Sequence, residues 1–106
     1  MTTNQKAPNE IPLAVTEGLA LLQPHLQSWV RDHLIEPRAV RLATDPDGSV
    51  FKQLWLITDH VGKDDSSYRI VYDAAAGTFG LECTLASGVE WYMGNYGSFP
   101  EAVEAM

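Results

Sequence analysis

The chain holds a single cysteine, Cys83, so an intramolecular disulfide is excluded and a reducing compartment, most simply the cytoplasm, is expected. Basic residues are scarce as well: seven lysines and arginines stand against fourteen acidic residues, a net charge of -7. A surface of that sign repels nucleic-acid phosphates and anionic membranes, so neither DNA, RNA nor a membrane is an expected partner. It suits a basic protein partner, and equally it keeps a small protein in solution. Long apolar runs are absent. The longest candidate is interrupted by Glu17, Gly18, Gln23 and Pro24, well short of the roughly eighteen uninterrupted apolar residues of a membrane span. Met1 to Glu10 contains no apolar stretch of the kind a signal peptide needs and reads as a polar tail. No internal repeat or low-complexity tract is present.

What is present is core-forming material. Of the 106 residues 45% are apolar and 20% charged, ordinary proportions for a folded protein. A chain of this size buries about two-thirds of its unfolded surface, enough for one core and one domain, expected over residues 11–106. The stretch from Phe51 to Thr58 organises the rest. Phe51, Trp55 and Ile57 alternate with Leu54 and Leu56, so both faces of this strand are apolar and both must be covered.

Before it, Val15, Leu19, Leu22, Leu26, Trp29, Val30, His33 and Leu34 follow three- and four-residue steps, which predicts a long helical segment from Pro12 to Glu36 packed on one sheet face. Pro24 should break it and Glu36-Pro37 should end it. Arg38 to Thr44 reads as an edge strand, followed by the turn Asp45-Pro46-Asp47-Gly48. A loop of only those four residues would set Arg41 against Lys52, so a different loop length or a bulge is expected.

Further strands are expected at Tyr68 to Asp73, Thr78 to Ala86 and Val89 to Tyr96. Pairing Ala74 with Gly77 places Tyr72, Ile70 and Tyr68 opposite Phe79, Leu81 and Cys83, and Arg69 opposite Glu82. A three-residue loop in the last hairpin would align Trp91 with Leu85 and Met93 with Cys83. Ser98 and Glu101, with Pro100 between, form a capping-box start for a short C-terminal helix carrying Phe99, Val103 and Met106 inward. The expected fold is α+β: helix, a five-stranded antiparallel meander, and a short C-terminal helix.

Chemistry-bearing clusters are weak. His25 and His33 share a helical face with Trp29, but eight residues of helix separate them by about 12 Å, too far to hold one metal ion. Asp59, His60, Asp64 and Asp65 crowd one loop without the spacing of a calcium site; a hydrolase-like role for His60 with Asp64 or Asp65 is the most chemical reading this chain offers. Cys83, flanked by Leu81 and Leu85, reads as a small buried hydrophobe. Gly94 to Ser98 leads into a helix N-terminus, yet Glu101 should occupy an amide there. No catalytic, metal or cofactor signature emerges, and none is expected to be used.

The aromatics are more informative. Tyr92, Tyr96, Trp55 and Glu90 would lie on the second sheet face, which makes a non-catalytic protein-interaction module the leading expectation, with a protein partner or a homodimer formed through that face. The alternative is a small-molecule pocket between helix and sheet lined by Trp29, Trp55 and Trp91.

Overall fold

Proline decides where the first helices begin and end. In the computed structural model, which describes residues 7–45, 47–58 and 68–105, the N-terminal apolar periodicity is divided between α1 (Glu10–Leu19) and α2 (Pro24–His33). Pro24 occupies the first turn of α2, where a missing N–H is not needed, and Gln23 before it is extended. The expected break at Pro24 is present, and the expected long helical segment is corrected in length: it is two helices of ten residues each. Residue 10, read above as the end of a tail, opens α1.

The second helix also stops short of the pattern. Leu34 turns extended, and β1 (Leu34–Ala43) absorbs Leu34 to Glu36, which the periodicity had assigned to helix. Pro37 disfavours helical geometry at Glu36 and removes an N–H that a helix would have used. A bulge between Leu34 and Arg38 accommodates the irregular stretch.

Four more strands follow: β2 (Phe51–Thr58), β3 (Arg69–Asp73), β4 (Thr78–Thr84) and β5 (Glu90–Gly97), and the described chain ends with α3 (Phe99–Glu104). Consecutive strands pair antiparallel. The expected open meander is corrected in one respect: the sheet closes into a barrel in the order β1-β2-β3-β4-β5, with β1 and β5 as parallel neighbours where Ala43 lies beside Trp91. Bulges explain the curl. Register shifts in β1 and at two points between β4 and β5 bend the strands and add to their natural twist until the two edges meet.

The turns set the registers. Between β3 and β4 the pairs Arg69–Glu82, Ile70–Leu81 and Tyr72–Phe79 form as the alternation requires. Between β1 and β2 the loop spans residues 45–49, closed by the Thr44 amide donating to the Val50 carbonyl, so Leu42 rather than Arg41 faces Lys52. The last hairpin does use three loop residues, 86–88, but Leu85 pairs with Val89 and Cys83 therefore stands opposite Trp91, not Met93. That slip moves each partner by two and leaves the faces unchanged.

Two apolar clusters result. Outside the barrel, all three helices cover Trp55, Ile57, Ile70, Tyr72, Phe79 and Leu81, contributing Ile11, Val15, Val30, Phe99, Ala102 and Val103. Phe79 joins them, its ring 4.8 Å from Tyr72 and edge-on to Phe99 at 5.3 Å. Inside the barrel lie Leu42, Leu54, Leu56 and Val71, flanked by Ile35, Val40 and Tyr92. The second face of the sheet is thus covered by the sheet's own curvature.

Close approaches lock the helices in place. A β-carbon at Gly18 of α1 would come within 2.9 Å of the Pro100 ring and 3.0 Å of Phe99, so the absence of a side chain there lets α1 lie against α3. The capping box of α3 forms as read: Ser98 Oγ accepts from the Glu101 amide and the Glu101 carboxylate accepts from the Ser98 amide. Met106 lies outside the described residues.

Candidate interaction site

The barrel interior is charged as well as apolar. Arg69 on β3 faces Glu82 on β4 and donates to it through both Nε (2.8 Å) and Nη2 (3.0 Å), while Nη2 also reaches Glu90 at 3.0 Å. Glu82 is 0% exposed. Burial pulls the Arg69 pKa down, but the two carboxylates outweigh it and raise it, so this guanidinium is permanently charged. Lys52 pairs with Asp73, whose Oδ1 also accepts from the Ala75 amide at 3.0 Å. Each of the two cations is thus paired with a carboxylate on a neighbouring strand.

Tyr92 is pushed up by burial and by the charge of Asp73, and Cys83 by burial and by Glu82, so both keep their protons at neutral pH. Tyr72 is pushed up to about 12, by burial first and then by the 2.8 Å hydrogen bond it donates to Glu10. Among the described residues no group of three or more His, Cys, Asp or Glu side chains is placed to hold a metal ion. His33 turns its Nδ1 to the Trp29 carbonyl at 2.7 Å and stacks on the Trp29 ring at 4.5 Å, while His25 is exposed. Asp59, His60, Asp64 and Asp65 lie outside the described residues. No described helix is long and apolar enough to cross a membrane.

The aromatic positions named above are divided between the two sides of the sheet. Trp55 is buried beneath the helices and Tyr96 packs against that same side, whereas Tyr92 faces the barrel interior. Only Glu90, 52% exposed, reaches the surface at a groove. Trp29 and Trp55 both belong to the helix-side core, Trp91 stands beside Ala43 at the closing seam, and none of the three lines the grooves beside Phe51, Ile11 or Leu21.

Instead, the geometry gathers apolar surface at the end of the barrel where the β1–β2 and β4–β5 hairpins converge. Asp45 pins the first hairpin: its carboxylate accepts from the amides of Ser49 (3.0 Å) and Val50 (2.9 Å) and from the Ser49 hydroxyl (2.6 Å). The Ser49 hydroxyl and then the Val50 amide hold its pKa below the usual value. Beyond this pinned turn Val50 and Phe51 are 57% and 48% exposed. The Arg41 guanidinium lies 5.1 Å from the centre of the Phe51 ring. Together with Gly48, Thr84, Gly88, Val89 and Glu90, Arg41 and Phe51 line a groove of about 380 Å³. Sequence reasoning missed Arg41, Val50 and Phe51; an apolar pair directly after a turn was the available signal.

The fold and this surface define a small α+β barrel protein with helices on one side and a hairpin end open to contact. Comparison of the chain with protein-family models, curated proteins and solved structures finds no match.

Proposed function

We propose that this chain is a non-catalytic protein-interaction module that presents the hairpin end of its barrel to a protein partner or to a second copy of itself. The observation that carries the reading is the exposure of Val50 and Phe51, side by side on a turn that three hydrogen bonds to Asp45 hold in shape. Apolar side chains held out on a rigid scaffold lose little conformational freedom when a partner covers them. Among the described residues Arg69 and Lys52 are each paired with carboxylates across the sheet, and this supports the same reading by stiffening the scaffold behind the hairpin end. The single thiol suits a reducing setting, and the cytoplasm is the location proposed.

Native mass spectrometry on the protein isolated gently from its source tests the reading. The expected result is a complex that disappears in a Phe51→Asp variant whose circular dichroism is unchanged. A monomer in both proteins, or a complex indifferent to the substitution, overturns it.

A second reading draws on an apolar groove of about 310 Å³ between α1 and β1, lined by Ile11, Val15, Leu34, Ile35, Pro37 and Ile57 among others. That volume is at the low end for small-molecule pockets, about 300–1,000 Å³. A small apolar ligand seated there should raise the thermal midpoint of the wild-type chain and not that of Val15→Glu; equal shifts in both argue against it.

A further inference from the structure

The geometry points to a second copy of the same chain as the occupant of the hairpin end, in a two-fold dimer where Arg41 of each chain meets Glu90 of the other. This rests on the reading of that end as a docking surface and adds the identity of what docks. A two-fold contact must be complementary to itself: an apolar centre on the axis, with groups of opposite charge displaced to either side. The groove has that composition. Phe51 and Val89 supply the apolar centre, while Arg41 comes from β1 and Glu90 from β5.

Although Arg41 and Glu90 line one groove, they make no ion pair with each other. Among the described residues the Arg41 side chain meets the Phe51 ring and no carboxylate. Glu90 spends Oε2 on Arg69, and Oε1 accepts nothing from the described residues. A cation and an anion on one surface, each with unused bonding capacity and not paired with one another, are satisfied together when the surface meets its own copy.

Charge argues against the other occupants. A strongly basic partner would suit the net charge of -7 but would press against Arg41, and an acidic one would be repelled by the whole chain. Two copies repel at long range as well, yet beyond about 8 Å that term is screened at physiological salt, whereas contacting Arg41 and Glu90 side chains lie within that distance. The turn held by Asp45 and the closed barrel mean that the surface needs little rearrangement to dock.

Light scattering on the purified full chain across micromolar to millimolar concentration, in physiological salt, is the test. The wild type should dimerise with concentration, and Arg41→Glu should weaken the dimer at least tenfold. Glu90→Arg should weaken it likewise. Mixing the two variants should restore association, because each contact in the mixed dimer again pairs a glutamate with an arginine. Phe51→Asp, at a half-exposed position, provides a disruption that does not involve Arg69. A wild type that stays monomeric at millimolar concentration overturns the proposal, as does a dimer that survives Arg41→Glu and Phe51→Asp, or variants whose mixture fails to associate. If the pure chain is monomeric while the protein from its source carries a different chain bound at Phe51, the second copy is wrong and the docking surface stands.

Discussion

The ring of Tyr92 lies across the bare backbone of Gly80. A β-carbon at Gly80 would fall 2.7 Å from the ring edge and 3.0 Å from its hydroxyl, and would run into the Gly94 carbonyl. Glycine at this position lets β4 and β5 approach closely where their register shifts. Gly80→Ala should therefore cost roughly 3 kcal/mol, the upper range for overpacking a filled site. Adding Tyr92→Ala should recover only part of that loss, since the Gly94 carbonyl remains in the way. Urea midpoints of the two variants measure both effects; full recovery in the double variant would remove the backbone from the explanation.

The Arg69–Glu82 pair carries a different expectation. Removing Glu82 leaves the largely buried Arg69 with only its bond to Glu90, so Glu82→Leu should destabilise by about 3 kcal/mol, the low end for breaking a buried pair. Arg69→Met combined with Glu82→Leu should regain most of it, because apolar groups fill the interior without leaving an unmatched ion. Glu90, exposed, should lose little when Arg69 is gone. A double-mutant cycle by chemical denaturation separates the terms. If the double variant is as unstable as the single one, the pair's contribution is not its charge.

High pH should loosen the chain through Tyr72. Its pKa is raised from 10.0 to about 12 in the folded state, so between those values the unfolded chain releases a proton that the folded chain retains. Stability from this source is complete below pH 10 and falls by about 1.4 kcal/mol per pH unit as pH climbs through the window. Tyr72→Phe should be less stable at neutral pH, for want of the bond to Glu10, and should show a shallower decline from pH 10 to 12. Parallel slopes for the two proteins would contradict the assignment.

The Asp45 turn responds at the acid end. A carboxylate whose pKa is depressed in the folded state contributes above its ordinary value and ceases to do so as pH falls through the lowered one. Asp45→Ala should therefore speed amide hydrogen exchange at Ser49 and Val50 at neutral pH, and the wild type should approach the variant's rates once the carboxylate is protonated. Unchanged exchange at those two amides would mean that the turn holds its shape without Asp45.

How much of this was legible beforehand depends on how local the deciding interactions are. The β3–β4 register could be read because a short turn, an apolar row and the opposite charges of Arg69 and Glu82 all select one alignment. The start of α3 could be read because Ser98 and Glu101 satisfy each other's backbone within one turn. Barrel closure could not: Ala43 and Trp91 meet because bulges in β1 and β5 accumulate curvature, and no window of sequence displays the sum. The exposure of Phe51 was hidden for the same reason. Its alternation matches that of Trp55 and Ile57, and only the reach of the helices distinguishes the buried positions from the bare one.

The seam between β1 and β5 also governs how the chain arrives at its fold. Ala43 and Trp91 are separated by nearly half the sequence, so their meeting carries a large loop-closure entropy and should come late, after the hairpins have formed. Until it happens, Leu42, Leu54, Leu56 and Val71 line an open trough with free strand edges on either side. Crowded synthesis or mild heating would catch molecules in that form, and the same curvature that later conceals these leucines would then leave them available to neighbouring chains.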